Sequence, residues 1–458
     1  MTLTIINPAT GNKIREIPTT SLADLKTAFT MAENYQSTWA NTDYVMRAKI
    51  IQKFRELLAQ EKRECAVILS SEMGKPVHQA EGEISACLNR IDWFLESTPR
   101  ELSPEIIHVA YPMVEEIHYE PLGVIGNISA WNFPYFVGSN VFIPALLTGN
   151  TVLYKPSEFA SLSGLKIAEI FYNAGLPKEA FQVIIGRGDI GQALVELPIK
   201  GIFFTGSYAT GTKIAEQAAK RFIKLGVELG GKDAAYVCDD VDVKLAAESV
   251  ADGSFYNAGQ SCCAVERIYV HEKIYSEFLQ HFKSFTESLV VGDPNDSKTY
   301  MGPLAREAQL AILAEQVEDA VAKGAKIFVQ GGRQAHRGYY FSPTALFDVD
   351  HSMKLMREES FGPVIGIQKV KDDAEALNLM NDCSYGLTNS VHTKDKQRAM
   401  NIMKNLDSGT VYWNCCDRVS PYLPWTGRKA SGMGTTLSHI GIKSFLQPKA
   451  WHLKHPSA

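Results

Sequence analysis

Between Glu120 and Lys155 the chain runs for 34 residues without a charged side chain, longer than the roughly 20 residues that cross a bilayer. The run is nevertheless no membrane helix. Gly123, Gly126, Asn127, Pro134, Pro144 and Gly149 interrupt it, and a broken backbone in lipid would strand unpaired polar groups. It reads instead as a buried strand, a turn, a buried helix and a second buried strand. A segment covered on every side is what the core of a parallel sheet requires.

The surroundings fit that reading. Apolar residues recur at helical spacing over 22–38 and 44–68, the second with Met46, Ile50, Phe54, Leu57 and Leu58 on one face. From 122 onward, strand-like runs at 123–128, 151–154, 181–185 and 201–204 alternate with helical patterns at 137–148, 161–174, 189–196 and 208–221. A second series has strands at 234–237, 267–270 and 326–329 and helices at 243–257, 274–290 and 305–323. Such alternation predicts βαβ units, hence two α/β domains in tandem with the active site in the cleft between them. Residues 104–121 and 442–453 belong to neither series and read as exposed strands that need a partner.

Composition narrows the function. Lys plus Arg number 46 against 51 for Asp plus Glu, a net charge of −5 with basic residues scattered, which offers no footprint for nucleic acid or an anionic membrane. Eight cysteines in 458 residues are too sparse for a disulfide scaffold, and no Cys/His spacing suits a metal. The amino terminus lacks the basic and apolar regions of a secretion signal. The expectation is a cytoplasmic protein with reduced thiols, no metal and a small-molecule substrate.

Three segments carry chemistry. In Asn257-Ala258-Gly259-Gln260-Ser261-Cys262-Cys263 a helical stretch ends at Gly259 and a cysteine pair follows in a tight turn, a place where a thiolate nucleophile can be partly open and lined by amide donors. In Val227-Glu228-Leu229-Gly230-Gly231 a carboxylate closes an apolar strand, where α/β enzymes keep reactive groups, and burial would suit it to act as a general base. In Ala130-Trp131-Asn132-Phe133-Pro134 an amide side chain follows the charge-free strand, able to stabilise an oxyanion or to cap the next helix. Cys263 beside Cys262 adds the prospect of a strained, reversible disulfide on oxidation.

Together these segments resemble the NAD(P)-dependent aldehyde dehydrogenase superfamily of non-acylating type. The likeness extends over nearly the whole chain through Asn7-Pro8-Ala9-Thr10-Gly11, Glu120-Pro121-Leu122-Gly123, Lys155-Pro156-Ser157-Glu158, Phe204-Thr205-Gly206-Ser207, Glu359-Ser360-Phe361-Gly362-Pro363 and Ser431-Gly432-Met433-Gly434, in family order. The resemblance implies two open-sheet Rossmann-like α/β domains plus a small β oligomerisation element. The NAD(P)-binding domain would span 1–103 and 122–229, the catalytic domain 230–430, and the oligomerisation segments 104–121 and 440–458. These last segments would pair across subunits of a homodimer or homotetramer.

The resemblance also assigns roles. Cys262 would add to the aldehyde, with Asn132 and the Cys262 amide holding the oxyanion; after hydride transfer Glu228 would activate the water that hydrolyses the thioester. Trp131, Lys155, Glu158, Gly188, Gly206, Ser207, Glu359 and Phe361 would hold the cofactor. Glu158 favours NAD because a carboxylate accepts ribose hydroxyls and repels the extra phosphate, while Lys155 and Arg187 keep NADP open. Two positions depart from the family pattern. Val141 stands where many relatives carry a proton-relay Lys, and Asn140 stands where relatives that oxidise succinate semialdehyde often carry an Arg. With Tyr135, Val137, Tyr422 and Trp425 expected to form an apolar mouth, a medium aliphatic or aromatic aldehyde is the favoured substrate. The alternatives are succinate semialdehyde anchored elsewhere, for example on Arg418, a CoA-acylating relative, and a catalytically silent one.

Overall fold

The computed structural model describes residues 1–335 and 338–456. The charge-free run forms the middle of a six-stranded sheet. Val124–Ile128, buried at every residue, is flanked in parallel by Thr151–Lys155 and Gly201–Thr205. Phe181–Val183 and Lys224–Glu228 extend the two sides in parallel, and Gly432–Met433 adds an antiparallel edge beside Glu228. Ile125 and Phe203 face one core with Phe142 and Phe171; Val124 and Ile202 face another with Phe29 and Leu194. Helix Pro134–Leu147 is buried on almost every side, so a charge anywhere on it would lack water or a partner.

A second sheet runs in the order Lys326–Val329, Thr344–Phe347, Val364–Val370, Arg267–His271, Ala234–Val237, Thr388–His392, Thr410–Trp413. All its neighbours are parallel except the first pair. The protein is therefore an α/β fold with two open sheets, as the alternation predicts. In the first sheet the chain order diverges on either side of Val124–Ile128, and a crevice opens beyond the carboxyl ends of such strands.

Three expectations need correction. The helix expected over 44–68 is two helices, Tyr44–Gln60 and Lys62–Met73, separated at Glu61, whose backbone (φ −94°, ψ 11°) leaves the helical region. The 26-residue helix Val77–Leu102 was not anticipated. The tail strand Leu446–Lys454 pairs antiparallel with Met113–Pro121, which pairs with Glu105–Ala110. The segments read as exposed strands in need of a partner thus pair with each other within one chain, because the last helix, Ser438–Lys443, returns the tail beside Pro121.

Candidate active site

The predicted residues collect at one edge. Asn132 lies four residues beyond Ile128, and Glu228 is the last residue of its strand. Asn132 is buried; its side-chain amide donates to the Gln260 carbonyl at 3.1 Å, two residues before Cys262. The cysteine turn is shaped by three successive left-handed residues, Asn257 (φ 53°), Ala258 (φ 57°) and Gly259 (φ 68°). At Gly259 a Cβ would fall 2.5 Å from the Gly362 carbonyl, so this position admits only glycine. The turn leaves Cys262 half-exposed and buries Cys263, whose thiol donates to Asp417 at 3.0 Å. Its hydrogen bond with Cys262, together with burial, raises the Cys263 thiol well above its ordinary range. Both cysteines are free thiols.

Three residues after Glu228, Gly231 packs against the cysteine turn, where a Cβ would lie 2.8 Å from the Cys262 carbonyl oxygen. The Thr436 hydroxyl donates to the Glu228 carboxylate. Burial pushes that carboxyl up to about 7, against the pull of Thr436 and of the Arg90 charge. A buried carboxyl poised near neutrality suits proton transfer at physiological pH.

The residues expected to hold a dinucleotide line the same edge. Trp131 packs edge-on against Phe361 at 5.3 Å and Phe159 at 6.4 Å. Lys155 is buried, its ammonium 3.4 Å from the Pro156 carbonyl; burial lowers its pKa and the charges of Glu158 and Asp189 raise it. Gly188 opens helix Gly188–Glu196, is exposed, and has open space where a side chain would stand. Ser207 precedes helix Tyr208–Ala219, and its side chain caps none of the first amides. The Gly206 amide is already taken by the Glu228 carbonyl at 3.0 Å. Glu359 accepts from the Gly231 amide at 3.2 Å, and burial, then Glu266, pushes its carboxyl up to about 8. A cradle with a buried cation, an open glycine at one helix start and uncapped amides at another fits a dinucleotide.

Residues 1–451 match the aldehyde dehydrogenase family. The chain belongs to that family. It is 34% identical to the succinate-semialdehyde dehydrogenase [NADP(+)] of Deinococcus radiodurans, an alignment covering 97% of this chain and 93% of that one. It is 34% identical to the lactaldehyde dehydrogenase of Escherichia coli, over 98% and 95%. The solved betaine aldehyde dehydrogenase of Staphylococcus aureus, in complex with NAD+, superposes with a TM-score of 0.96 at 28% identity, covering 100% of this chain and 92% of that one. This aldehyde dehydrogenase is accordingly an oxidoreductase that acts on aldehydes.

Beneath the site lie groups that the sequence reading passed over. Lys75 and Glu83 form a fully buried ion pair at 2.5 Å. Lys75 also donates to the Asn132 carbonyl at 2.8 Å, and Glu83 accepts the Tyr135 and Phe136 amides. Lys232 and Glu266 form a second pair at 2.6 Å; Lys232 reaches Ser360, and Glu266 accepts the Ser360 and Phe361 amides. A usable signal existed for the first pair. Val77, Ala80, Ile84, Cys87, Ile91 and Phe94 recur at three- and four-residue steps, an apolar helical stripe with Glu83 and Arg90 beside it.

The mouth of this aldehyde dehydrogenase differs from expectation. Tyr422 is exposed, edge-on to Trp93 at 6.1 Å, and Val137 is half-buried. Tyr135 and Trp425 are buried in the core instead. Tyr135 sits on the first turn of its helix next to Cys65 and Cys87, and Trp425 lies against Glu228. Arg418 is exposed on the loop that carries Asp417.

Proposed function

We propose that this enzyme oxidises an aldehyde to the free carboxylic acid with NAD or NADP, through a thioester on Cys262. The observation that carries the reading is Glu228: a buried carboxyl poised near 7, held by Thr436, with the glycine three residues on packed against the cysteine turn. The Cys262 thiolate adds to the aldehyde carbon, and the resulting oxyanion is met by the Asn132 side-chain amide and the Cys262 amide. Bound NAD(P)+ would supply the hydride acceptor that converts this adduct into a thioester on Cys262. Glu228 then accepts a proton from water as its oxygen bonds the acyl carbon; the C–S bond breaks and the thiolate returns to Cys262. Glu228 favours this hydrolysis over transfer to CoA.

Lys155, Glu158, Gly188, Ser207, Trp131, Glu359 and Phe361 are the proposed cofactor contacts, with Gly206 shaping the turn rather than offering its amide. The first sheet is the proposed cofactor domain and the second the catalytic domain. Exposed Ile106, Ile107, Val109 and Trp451 on the three-stranded sheet support a homo-oligomer, and we place the enzyme in the cytoplasm. No helix among the described residues is long and apolar enough to cross a membrane.

Phe136, Val137, Trp93, Val419 and Tyr422 favour a medium aliphatic or aromatic aldehyde. Succinate semialdehyde is the second reading, supported by exposed Arg418 and by the Deinococcus relative. The test is NADH and NADPH formation from hexanal, benzaldehyde and succinate semialdehyde, with Cys262→Ala as the blank. Turnover of the apolar aldehydes, absent in the variant, is expected. Turnover that survives in Cys262→Ala contradicts the mechanism, and a strong preference for succinate semialdehyde contradicts the substrate class.

A further inference from the structure

Arg90 is the buried cation that the mechanism above leaves unused. It sits on helix Val77–Leu102 with 1% of its surface exposed. Its guanidinium lies 3.4 Å over the Phe136 ring, and one nitrogen donates to the Phe136 carbonyl at 3.1 Å and to the Asn140 side-chain oxygen. Its other two nitrogens have no hydrogen-bond partner among the described residues. Burying an arginine without a carboxylate on its fork is costly, and a full set of packing contacts does not explain why a charge is kept there.

The explanation lies across helix Pro134–Leu147. Asn140, which anchors Arg90, and Val141 beside it line a small cavity together with Glu228, Thr205 and Thr436. The groups facing Glu228 from that helix (Val137, Asn140, Val141), from strand Gly201–Thr205 (Phe203, Phe204, Thr205) and from the returning chain (Met433 to Thr436) carry no charge. Trp425 and Thr436 add only hydrogen bonds, so Arg90 is the positive charge acting on Glu228. Arg90 in turn feels the charges of Cys87, Glu228 and Glu83, and Glu83 is already paired with Lys75.

We propose that Arg90 is a positioning residue for the hydrolytic half-reaction: anchored on Phe136 and Asn140, its buried charge holds Glu228 in the ionised form that accepts the proton of the attacking water. The inference rests on the reading of Glu228 as the base. It gives this chain, which has Val141 where many relatives have a lysine, a cation brought to the same helix by a different one. In the step concerned the water O–H bond breaks, oxygen bonds the acyl carbon, the proton goes to the Glu228 carboxylate, and the electron pair of the broken C–S bond leaves on Cys262. Arg90 takes no part in these bonds.

The sign follows from charge. A nearby cation favours the carboxylate, so removing it moves the protonation of Glu228 to higher pH. The full-length enzyme is acylated with p-nitrophenyl acetate, which needs no cofactor. The burst of p-nitrophenolate reports acylation of Cys262, and the linear phase reports hydrolysis. For Arg90→Met we expect an intact burst and a hydrolysis profile whose acid limb moves up by about one pH unit, a roughly tenfold loss at pH 6 and little loss at pH 9. Arg90→Lys should restore most of the shift. If Arg90→Met does not fold by circular dichroism, Asn140→Leu, which removes the anchor and leaves the charge, should move the limb the same way by less. An acid limb unmoved in the folded Arg90 variants overturns the proposal, as does an equal fall of burst and hydrolysis at every pH, the mark of a purely structural residue. Glu228→Gln is run in parallel: normal hydrolysis there refutes Glu228 as the base, whatever Arg90 does.

Discussion

Two buried lysine–glutamate pairs support the site from opposite sides, and they do it differently. Lys75–Glu83 lies under the first sheet. Its carboxylate takes the amides of Tyr135 and Phe136 at the start of helix Pro134–Leu147, and its ammonium takes the Asn132 carbonyl. There the helix terminus itself favours the negative charge. Lys232–Glu266 lies under the second sheet, and its carboxylate takes the amides of Ser360 and Phe361. Phe361 is left-handed (φ 47°) and no helix begins there, so the pair holds that strained turn together with the Gln309 and Gln316 side-chain amides, which donate to the Ser360 and Glu359 carbonyls. The first pair places the residue proposed to hold the oxyanion; the second places Phe361, a proposed cofactor contact. The contrast shows how one device, a buried ion pair used as a clamp on backbone amides, can serve chemistry on one side and binding on the other.

The strongest way to break the comparison is to remove half a pair. Glu83→Ala leaves the Lys75 ammonium buried and unpaired, and should cost about 3–5 kcal/mol of stability in urea unfolding. Lys75→Met combined with Glu83→Leu should recover most of that loss while kcat stays low, because Asn132 has lost its clamp. Next comes Asn132→Ala, which removes the proposed oxyanion donor itself and should lower kcat by ~10²–10³ with little change in the melting temperature. Glu266→Gln should act on the other half of the comparison. A neutral amide holds the Ser360–Phe361 turn less well, so KM for the dinucleotide should rise about tenfold, in keeping with the loss of a charge-assisted hydrogen bond, while kcat changes less. If Glu266→Gln instead lowers kcat and leaves KM untouched, the division of labour between the pairs is wrong.

The smallest effect concerns Glu228. Since burial raises its carboxyl to about 7, the basic form is lost as pH falls through that value, and hydrolysis should decline about tenfold per pH unit below it. Thr436→Val deletes a hydrogen bond that favours the ionised form, so the acid limb should move up, by less than one unit. A downward move would contradict the assignment of Thr436 as the donor.

The parts of this molecule that were legible in its sequence are those where one residue type answers one demand. The charge-free run announced the central sheet because burial on all sides tolerates no charge. Cys262, Glu228 and Asn132 stood out because each follows or precedes a turn at the end of an apolar stretch. What escaped notice depends on side chains far apart in the chain. Glu83 and Arg90 lie beside the apolar stripe of helix Val77–Leu102 and Lys75 just before that helix, and nothing in the sequence says what their charges meet once buried, while Asp417 becomes a partner of Cys263 only through the loop from the second sheet. The tail likewise read as an unpaired edge because its partner, Met113–Pro121, lies more than three hundred residues earlier.

The most direct test of the central claim is a single-turnover experiment with Glu228→Gln, hexanal and NAD+, read by NADH fluorescence and by intact mass after acid quench. With Glu228 as the base for hydrolysis, one equivalent of NADH per active site, almost no further turnover and one hexanoyl group on Cys262 are expected. Steady turnover in that variant, or an acyl group on Cys263 and none on Cys262, would contradict the claim.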